Sequence, residues 1–217
     1  EAELGTLESQ GKTAIVVASE EPPRALGVLA VADTPRKTSI EAVRTLHALG
    51  IHTIMLSGDN QTTAGAIAKA VGIDDARGGL LPEDKIAAII EMMASRADGT
   101  VGIVGDGAND APALAKADIG FAMGAAGTDV ALETADVALM RDDLRAVPEF
   151  IRLSRRTTAI LRQNITVSLA AKFAFFVLAL LGMATLWMAI LADVGATLIV
   201  IANGLRLLNG PRTLRKG

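Results

Sequence analysis

The hydrophobic and polar residues of the chain follow two patterns. Up to about residue 145, short apolar runs alternate with stretches in which apolar residues recur every three or four positions. After residue 162, two long apolar stretches follow each other, separated by a short turn at 182–185. The first pattern predicts strands alternating with helices, and the second predicts a pair of helices that are apolar on most sides.

The first pattern predicts strands at 13–18, 25–32, 52–56, 78–80, 101–104, 119–122 and 135–140. It predicts helices at 39–49, 61–71, 83–94, 110–116 and 128–134, and a further helix from about 144. Short apolar strands that alternate with helices favour an α/β fold, a parallel sheet with helices on both faces. In such a sheet ligands bind beyond the carboxyl ends of the strands, where Asp33, Ser57 and Asp106 fall.

The stretch 101–113 carries the densest candidate chemistry. Its apolar strand ends in Gly105-Asp106-Gly107, and Asn109 and Asp110 follow where a helix begins. Two carboxylates therefore converge on one turn, and the glycines let the backbone approach a ligand closely. Mg²⁺ prefers such oxygen ligands and is commonly held by one or two carboxylates together with phosphate oxygens. Taken alone, the motif is also compatible with a tight turn in which an aspartate caps a helix.

A second strand-to-helix junction reads Ser57-Gly58-Asp59-Asn60. A hydroxyl at the strand end, a glycine and the free N–H groups of a helix that starts near Gln61 make a suitable site for a phosphate group. The alternative is that Asp59 or Asn60 caps an ordinary helix.

Lys85 lies in the first turn of a predicted helix, after Pro82, Glu83 and Asp84. A cation at this end opposes the helix dipole at a cost of about 0.3 to 1 kcal/mol. A bound anion would offset that cost. A solvated lysine, partly neutralised by its two acidic neighbours, is the alternative.

The two apolar stretches, 164–181 and 186–208, each approach the roughly 20 residues that span a bilayer core. The turn between them is uncharged, whereas basic residues flank the hairpin, namely Arg152, Arg155, Arg156, Arg162, Arg206, Arg212, Arg215 and Lys216. Because positive residues favour the cytoplasmic side, both ends of the hairpin are expected in the cytoplasm. Trp187 lies next to the far turn, where an interfacial aromatic anchor is expected.

Lys172 and Asp193 interrupt the two apolar stretches. Each costs about 2.5 to 3.5 kcal/mol near the centre of a membrane helix, so both are expected to face a bundle interior or a hydrated cavity. They are candidate partners of one another. An ion path is favoured because Gly195 and Thr197 thin the helix surface beside Asp193; a purely structural ion pair is the alternative.

Composition supports a membrane protein. Apolar residues make up 51% of the chain, and the mean hydropathy of +0.41 is high for a purely soluble protein. The lack of cysteine excludes a disulfide framework, a zinc–thiolate site and a cysteine nucleophile within these residues. The net charge of -3 argues against a nucleic-acid partner. The first residue is Glu1 rather than methionine, which suggests that the natural start lies elsewhere.

Five motifs resemble the C-terminal half of a P-type ATPase, namely DTPR at 33–36, SGDN at 57–60, LLPEDK at 80–85, GDGANDAPAL at 105–114 and AMGAAGTDVALETADVAL at 122–139. The hairpin is similar to the heavy-metal branch of that family and, within it, to the exporters of zinc, cadmium and lead. This similarity rests on RQNI at 162–165, Lys172 and ADVGATLIVIANGLRLL at 192–208. The resemblance covers essentially the whole chain and implies the fold of the haloacid dehalogenase superfamily.

The resemblance implies a phosphorylation site in the first part of the chain. Asp106 would hold Mg²⁺ there, Asp110 would support it, and Asn109 would help to bind the phosphoryl group. Lys85 would neutralise charge on the transferring group.

Two further motifs are implied to support that site. Ser57, Gly58 and Asp59 would form the phosphate loop, with serine where the family more often has threonine. Asp33 and Arg36 match the hinge motif of the phosphorylation domain.

In the hairpin, the resemblance implies that Asp193 is a ligand of the transported divalent ion. Lys172 would be its charge partner and would favour release of the ion. A copper exporter would be expected to show Asn/Tyr and Met/Ser ligands in these two spans, and these are not seen.

The resemblance also divides the chain. It implies a remnant of the nucleotide-binding domain and hinge at 1–24, a phosphorylation domain at 25–145, a cytoplasmic linking helix at 146–163, two transmembrane helices at 164–208 and a cytoplasmic tail at 209–217. The D-K-T-G-T segment with the phosphorylated aspartate, the T-G-E motif, the C-P-C metal ligands and most of the nucleotide-binding domain would lie before Glu1. On its own, the chain is therefore expected to be inactive.

These expectations together describe an ATP-driven exporter of Zn²⁺, Cd²⁺ or Pb²⁺ in the cytoplasmic membrane. Its partners would be the lipid bilayer, the divalent ion and the missing N-terminal part of the same pump. Two alternatives remain: a soluble phosphatase of the haloacid dehalogenase type, and a non-catalytic membrane partner.

Overall fold

The computed structural model describes residues 12–32, 34–95, 99–105, 108–124 and 133–208, with the backbone alone for residues 12–14, 31, 32 and 108. The chain divides into two compact units, Glu1–Pro148 and Glu149–Gly217. Four predicted features lie outside the described residues, namely Asp33, Asp106, most of the helix at 128–134 and the cytoplasmic tail at 209–217.

The first unit begins with an antiparallel hairpin of β1 (Lys12–Ser19) and β2 (Arg24–Ala32). The register shifts between Val17 and Ala18, where the strands contain a bulge or irregularity. The expected domain boundary after residue 24 falls where the second strand of this hairpin begins, and it stays a prediction.

The next elements are α1 (Lys37–Ala48), β3 (Ile54–Leu56), α2 (Gln61–Val71), β4 (Asp75–Arg77) and α3 (Pro82–Ser95). Strands β3 and β4 pair in parallel, as the alternation of strands and helices predicts. Helix α2 has defined ends because the Asn60 side chain accepts a hydrogen bond from the Thr63 N–H at 2.8 Å, and Gly72 adopts the left-handed conformation at φ +87°.

The strand predicted at 78–80 is wrong by three residues, because β4 ends at Arg77. The Gly78 N–H donates to the Gln61 side chain at 2.5 Å, and Gly79 has φ +70°. Both features turn the backbone away from a strand path. Residues 78–80 instead form the connection to α3.

A second parallel sheet has the order β5 (Gly102–Gly105), β6 (Ile119–Met123) and β7 (Val137–Leu139). A 3₁₀ turn (Ala108–Asp110) and α4 (Ala111–Lys116) connect β5 to β6. The core of this part contains Leu114 and Ala122, which are 1% and 0% exposed, and Ile103 and Ala135 pack against it. Parallel strands with intervening helices confirm the predicted α/β class.

The second part of the chain contains two long helices, α5 (Ala146–Leu180) and α6 (Leu186–Leu205). Gly182 makes the turn between them at φ +72°, and Thr185 caps α6 by accepting the Met188 N–H. Both helices are long and apolar enough, by length and composition, to cross a membrane. The predicted helical hairpin is therefore present.

Candidate functional site

The structure brings Lys85 and Asp110 together. The Lys85 Nζ donates to the Asp110 Oδ1 at 2.8 Å, and the two side chains are only 19% and 17% exposed. This ion pair joins the first turn of α3 to the 3₁₀ turn after β5, across 25 positions of sequence. A charge-assisted hydrogen bond in such a sheltered place fixes the positions of both groups.

The capping of α3 explains why Lys85 is available for this contact. The Asp84 Oδ2 accepts the backbone N–H of Leu81 at 2.9 Å and so caps the start of the helix, while Pro82 occupies its first position. Asp84 is therefore engaged with the backbone. The Lys85 ammonium pairs with Asp110 rather than being a solvated lysine.

Gly105 lets Asp110 approach the end of β5. A Cβ on Gly105 would lie 2.7 Å from the Asp110 Cβ and 3.2 Å from its Oδ2, so a larger residue would displace the carboxylate. Asn109 is exposed next to it. Asp106, which follows Gly105 directly, lies outside the described residues.

The loop at 57–59 is held by hydrogen bonds at the end of β3. The Ser57 hydroxyl donates to the Asp59 carboxylate at 3.0 Å and accepts the Asp59 N–H at 3.1 Å. A side chain at Gly58 would not clash, since a Cβ there would lie in ordinary van der Waals contact, 3.6 Å from the Leu80 carbonyl oxygen. Because Asn60 caps α2, Ser57 and Asp59 are not needed as helix caps.

The connection before α3 supports this loop from the other side. The Leu80 N–H donates to the Ser57 carbonyl at 3.0 Å, and the Gly79 N–H donates to the Asp59 carbonyl at 2.5 Å. Leu81 then begins the capped turn that leads to Lys85. One continuous segment thus positions both the Ser57 loop and the lysine.

Ion pairs tie α1 to the segment after β7. Arg36 donates to the carboxylate and the carbonyl of Asp142, and Arg145 donates to Glu41 at 3.0 Å and to Asp143 at 2.7 Å. The hydrogen bonds from Arg145 lower the pKa of the Asp143 carboxyl. Sequence reasoning named Arg36 but missed its partners, although the charged run at 141–145 was a signal.

A second unpredicted cluster surrounds Asp74, just before β4. Its Oδ2 accepts the Thr53 N–H at 2.7 Å and the Thr53 hydroxyl at 2.8 Å, and lies 3.0 and 3.3 Å from ring nitrogens of His47 and His52. The backbone hydrogen bond from Thr53 is the main cause of the lowered pKa of Asp74. The cluster anchors the amino-terminal ends of β3 and β4, away from the Ser57 loop.

Lys172 and Asp193 line one cavity of about 310 Å³ between α5 and α6. Its other lining residues are Ser168, Ala171, Phe175, Ala189, Ala192, Ala196 and Thr197. Among the described residues no N···O contact within 4.0 Å joins Lys172 to Asp193. The two charged side chains therefore line one cavity without forming the direct ion pair that the sequence suggests.

The described residues contain no cluster of three or more His, Asp or Glu side chains that fits a metal ion. Asp106, which belongs to the predicted phosphorylation site, lies outside these residues. The donor that is described there, the Asp110 carboxylate, has the hard oxygen atoms that Mg²⁺ prefers, and its Oδ1 is bonded to Lys85.

Comparison with known proteins identifies relatives for almost the whole chain. Residues 1–118 match the haloacid dehalogenase-like hydrolase family. The chain is 52% identical over 209 residues to a protein of Alkalihalophilus pseudofirmus named probable cadmium-transporting ATPase, which covers 96% of this chain and 28% of that protein. It is 48% identical over 205 residues to the zinc/cadmium/lead-transporting P-type ATPase of Escherichia coli (strain K12). This match covers 94% of this chain and 27% of that protein.

A solved structure gives the same result. The crystal structure of a zinc-transporting PIB-type ATPase in an E2.Pi state matches with a TM-score of 0.83 and 46% sequence identity, covering 95% of this chain and 33% of that chain. The chain thus spans less than a third of the length of the curated relatives named above. These matches confirm the predicted resemblance to heavy-metal P-type ATPases, and the chain belongs to the haloacid dehalogenase-like hydrolase family.

Proposed function

We propose that this chain is the C-terminal part of a pump that uses ATP to export Zn²⁺, Cd²⁺ or Pb²⁺ through an aspartyl-phosphate intermediate. The observation that carries the proposal is the sheltered Lys85–Asp110 pair beside the end of β5, directly before Asp106. The same chain contains two membrane-length helices with Lys172 and Asp193 at one cavity. The transporting ATPases named above favour this proposal over a soluble phosphatase or a non-catalytic partner.

The phosphorylation site would combine a divalent cation with a fixed protein cation. Asp106 and Asp110 would hold Mg²⁺, which would neutralise charge on the phosphoryl oxygens. Lys85 is already oriented by Asp110 and would present its ammonium to the same group. The charged groups of the protein would thus be in position before the phosphoryl group binds. Asn109 would add a hydrogen-bond donor at the same turn.

The Ser57 loop would bind a phosphoryl oxygen. In the described structure the Ser57 hydroxyl donates to Asp59, which keeps the hydroxyl proton oriented. On binding, the hydroxyl would donate to the phosphoryl oxygen instead, and the Gly58 backbone would add a contact unobstructed by a side chain. Hydrogen bonds from 79–80 hold the loop carbonyls and limit its movement.

Phosphoryl transfer also needs a nucleophilic aspartate, and the sequence of 217 residues contains no D-K-T-G-T segment. The proposed catalytic cycle therefore belongs to a longer protein that supplies this segment and the nucleotide-binding surface. The chain on its own is expected not to hydrolyse ATP.

The hairpin would handle the transported ion. Asp193 would offer a carboxylate oxygen to the divalent cation, and Lys172 would occupy the same cavity with a compensating charge when the ion leaves. The arginines before Asn164 and after Leu205 support a cytoplasmic position for both ends of the hairpin. The first unit would then lie on the side where ATP is present.

Phosphoenzyme formation by the full-length protein tests the proposal. The wild-type protein in isolated membranes is expected to take up label from γ-labelled ATP in a Zn²⁺-dependent, acid-stable form, and Asp106→Asn is expected to take up none. Asp118→Asn is the matched control, because an asparagine oxygen can still accept the Val101 N–H that Asp118 binds at 2.8 Å. Equal labelling of wild-type and Asp106→Asn proteins would refute the role of Asp106.

A further inference from the structure

Four polar side chains connect α5 and α6 at the end of the hairpin where the arginines lie. We call the set the interhelical clamp: Gln163, Asn164, Asn203 and Arg206. The Asn203 Nδ2 donates to the Asn164 Oδ1 at 2.9 Å and to the Gln163 Oε1 at 3.2 Å. The Arg206 guanidinium donates to the Asn203 Oδ1 at 3.0 Å.

This arrangement uses both ends of the Asn203 amide. Its two N–H groups point to oxygens of α5, and its oxygen receives a donor from Arg206. A flipped amide would set its N–H groups against the guanidinium donor, so the contacts specify one orientation. The Arg156 guanidinium adds a further bond to the Arg206 carbonyl.

Hydroxyl groups elsewhere in the two helices behave differently. Thr157, Thr166 and Thr197 each donate to the carbonyl four residues earlier in their own helix. Such bonds do not hold one helix against the other. The hydrogen bonds of the interhelical clamp join α6 to α5, whereas the bonds of these three hydroxyls do not.

The distances along the helices show what the clamp aligns. Lys172 lies eight residues from Asn164, about 12 Å along α5, and Asp193 lies ten residues from Asn203, about 15 Å along α6. Because the helices run in opposite directions, both residues lie on the same side of the clamp. Their Cα atoms then differ in depth by about 3 Å, whereas a slip of one turn would change that offset by about 5.4 Å.

We propose that the interhelical clamp is a positioning element that sets the register of α6 on α5, so that Lys172 and Asp193 face one cavity at nearly the same depth. The lining of that cavity includes four alanines, whose small side chains do not lock the register by interdigitation. The directional hydrogen bonds of the interhelical clamp set the register instead. The inference rests on the proposed metal transport, because its consequence is the geometry around the transported ion.

The test uses the full-length pump in membranes and compares Asn203→Leu with the wild type. Two quantities are measured: the Zn²⁺ concentration for half-maximal ATPase stimulation, and phosphoenzyme formed from inorganic phosphate without Zn²⁺. Loss of the clamp is expected to raise the first roughly tenfold or more, because small displacements of reacting groups have effects of that size. The second is expected to stay at the wild-type level, since it reports the phosphorylation site.

Two further variants separate positioning from packing. Asn164→Asp keeps an oxygen that accepts from Asn203 and is expected to retain the wild-type Zn²⁺ response, whereas Asn164→Leu removes it and is expected to behave like Asn203→Leu. Thr166→Val is the matched control, because Thr166 bonds to its own helix. If the Asn203→Leu protein does not accumulate in the membrane, the comparison of Asn164→Asp with Asn164→Leu tests the interhelical clamp in its place.

Cross-linking reads the register directly. A cysteine introduced at Ala171 is paired in turn with one at Ala189, Ala192 or Ala196, all lining the same cavity. Asn203→Leu is expected to spread cross-linking from the pair preferred in the clamped protein to a partner about one turn away. An unchanged pattern together with an unchanged Zn²⁺ response would overturn the clamp, and a wild-type pump without any Zn²⁺ stimulation would instead overturn the proposed function.

Discussion

Replacing Lys85 with methionine removes the cation of the Lys85–Asp110 pair while keeping a long apolar side chain. The Asp110 carboxylate, 17% exposed, is then left without its 2.8 Å partner. Exposed pairs contribute about 0 to 1 kcal/mol and the breaking of a fully buried pair costs about 3 to 5 kcal/mol. The partial burial seen here places Lys85→Met between these limits, at about 2 kcal/mol of local stability.

The chain offers a matched control for this prediction. Arg77 and Glu91 also form an ion pair at 2.8 Å, but their side chains are 34% and 65% exposed. Glu91→Gln is therefore expected to have a much smaller effect, because water replaces the lost contact. Hydrogen–deuterium exchange of α3 and of the turn before α4 measures the local stability of both variants.

Phosphorylation of the full-length protein measures the effect of the same substitution on function. Lys85→Met is expected to lose phosphorylation from labelled ATP in the full-length protein, and Lys85→Arg is expected to retain part of it because the charge is kept. Equal exchange in the Lys85→Met and Glu91→Gln variants would refute the reasoning from burial. Wild-type phosphorylation of Lys85→Met would refute the proposed role of the ammonium.

Two more predictions follow from close contacts elsewhere in the first unit. Gly105→Ala is expected to destabilise the end of β5 by about 1 to 3 kcal/mol and to abolish phosphorylation, because the new Cβ would lie 2.7 Å from the Asp110 Cβ; normal labelling of this variant would contradict it. Asp74→Asn is expected to remove a pH-dependent contribution to stability. The folded-state pKa of Asp74 is lowered, mainly by the Thr53 N–H, so its contribution is present above the unfolded pKa of about 3.9 and is lost as the pH falls through the lower folded value. Acid unfolding followed by circular dichroism should therefore show the wild-type advantage over Asp74→Asn shrinking only below about pH 4, and a constant difference would argue against it.

The periodicity of apolar residues predicted most of the helices and strands because the turns between them carry strong local signals. Asn60 and Gly72 cap α2 as their residue types favour. The strand at 78–80 was misplaced because Leu80 and Leu81 are apolar, although the glycines before them hold a turn. Local patterns do not reveal that the Gln61 side chain draws Gly78 out of the strand path.

The sequence predicted which residues belong to the candidate site, but it did not predict which of them contact each other. Lys85 and Asp110 were both named from their local motifs, yet only the folded chain brings these distant positions to 2.8 Å. Lys172 and Asp193 were predicted as candidate partners, but the structure places a cavity lined by alanines between the two helices that carry them. The Asp74 cluster was missed because its partners, His47, His52 and Thr53, lie more than twenty positions before Asp74 in the sequence.

ATP-dependent uptake of Zn²⁺ into inside-out membrane vesicles tests the central claim most directly, with the full-length protein compared with Asp193→Ala. The account predicts that vesicles with the wild-type protein accumulate Zn²⁺ when ATP is supplied, and that Asp193→Ala accumulates none while still forming a phosphoenzyme from inorganic phosphate. No uptake by the wild-type protein, or equal uptake by both proteins, would contradict it.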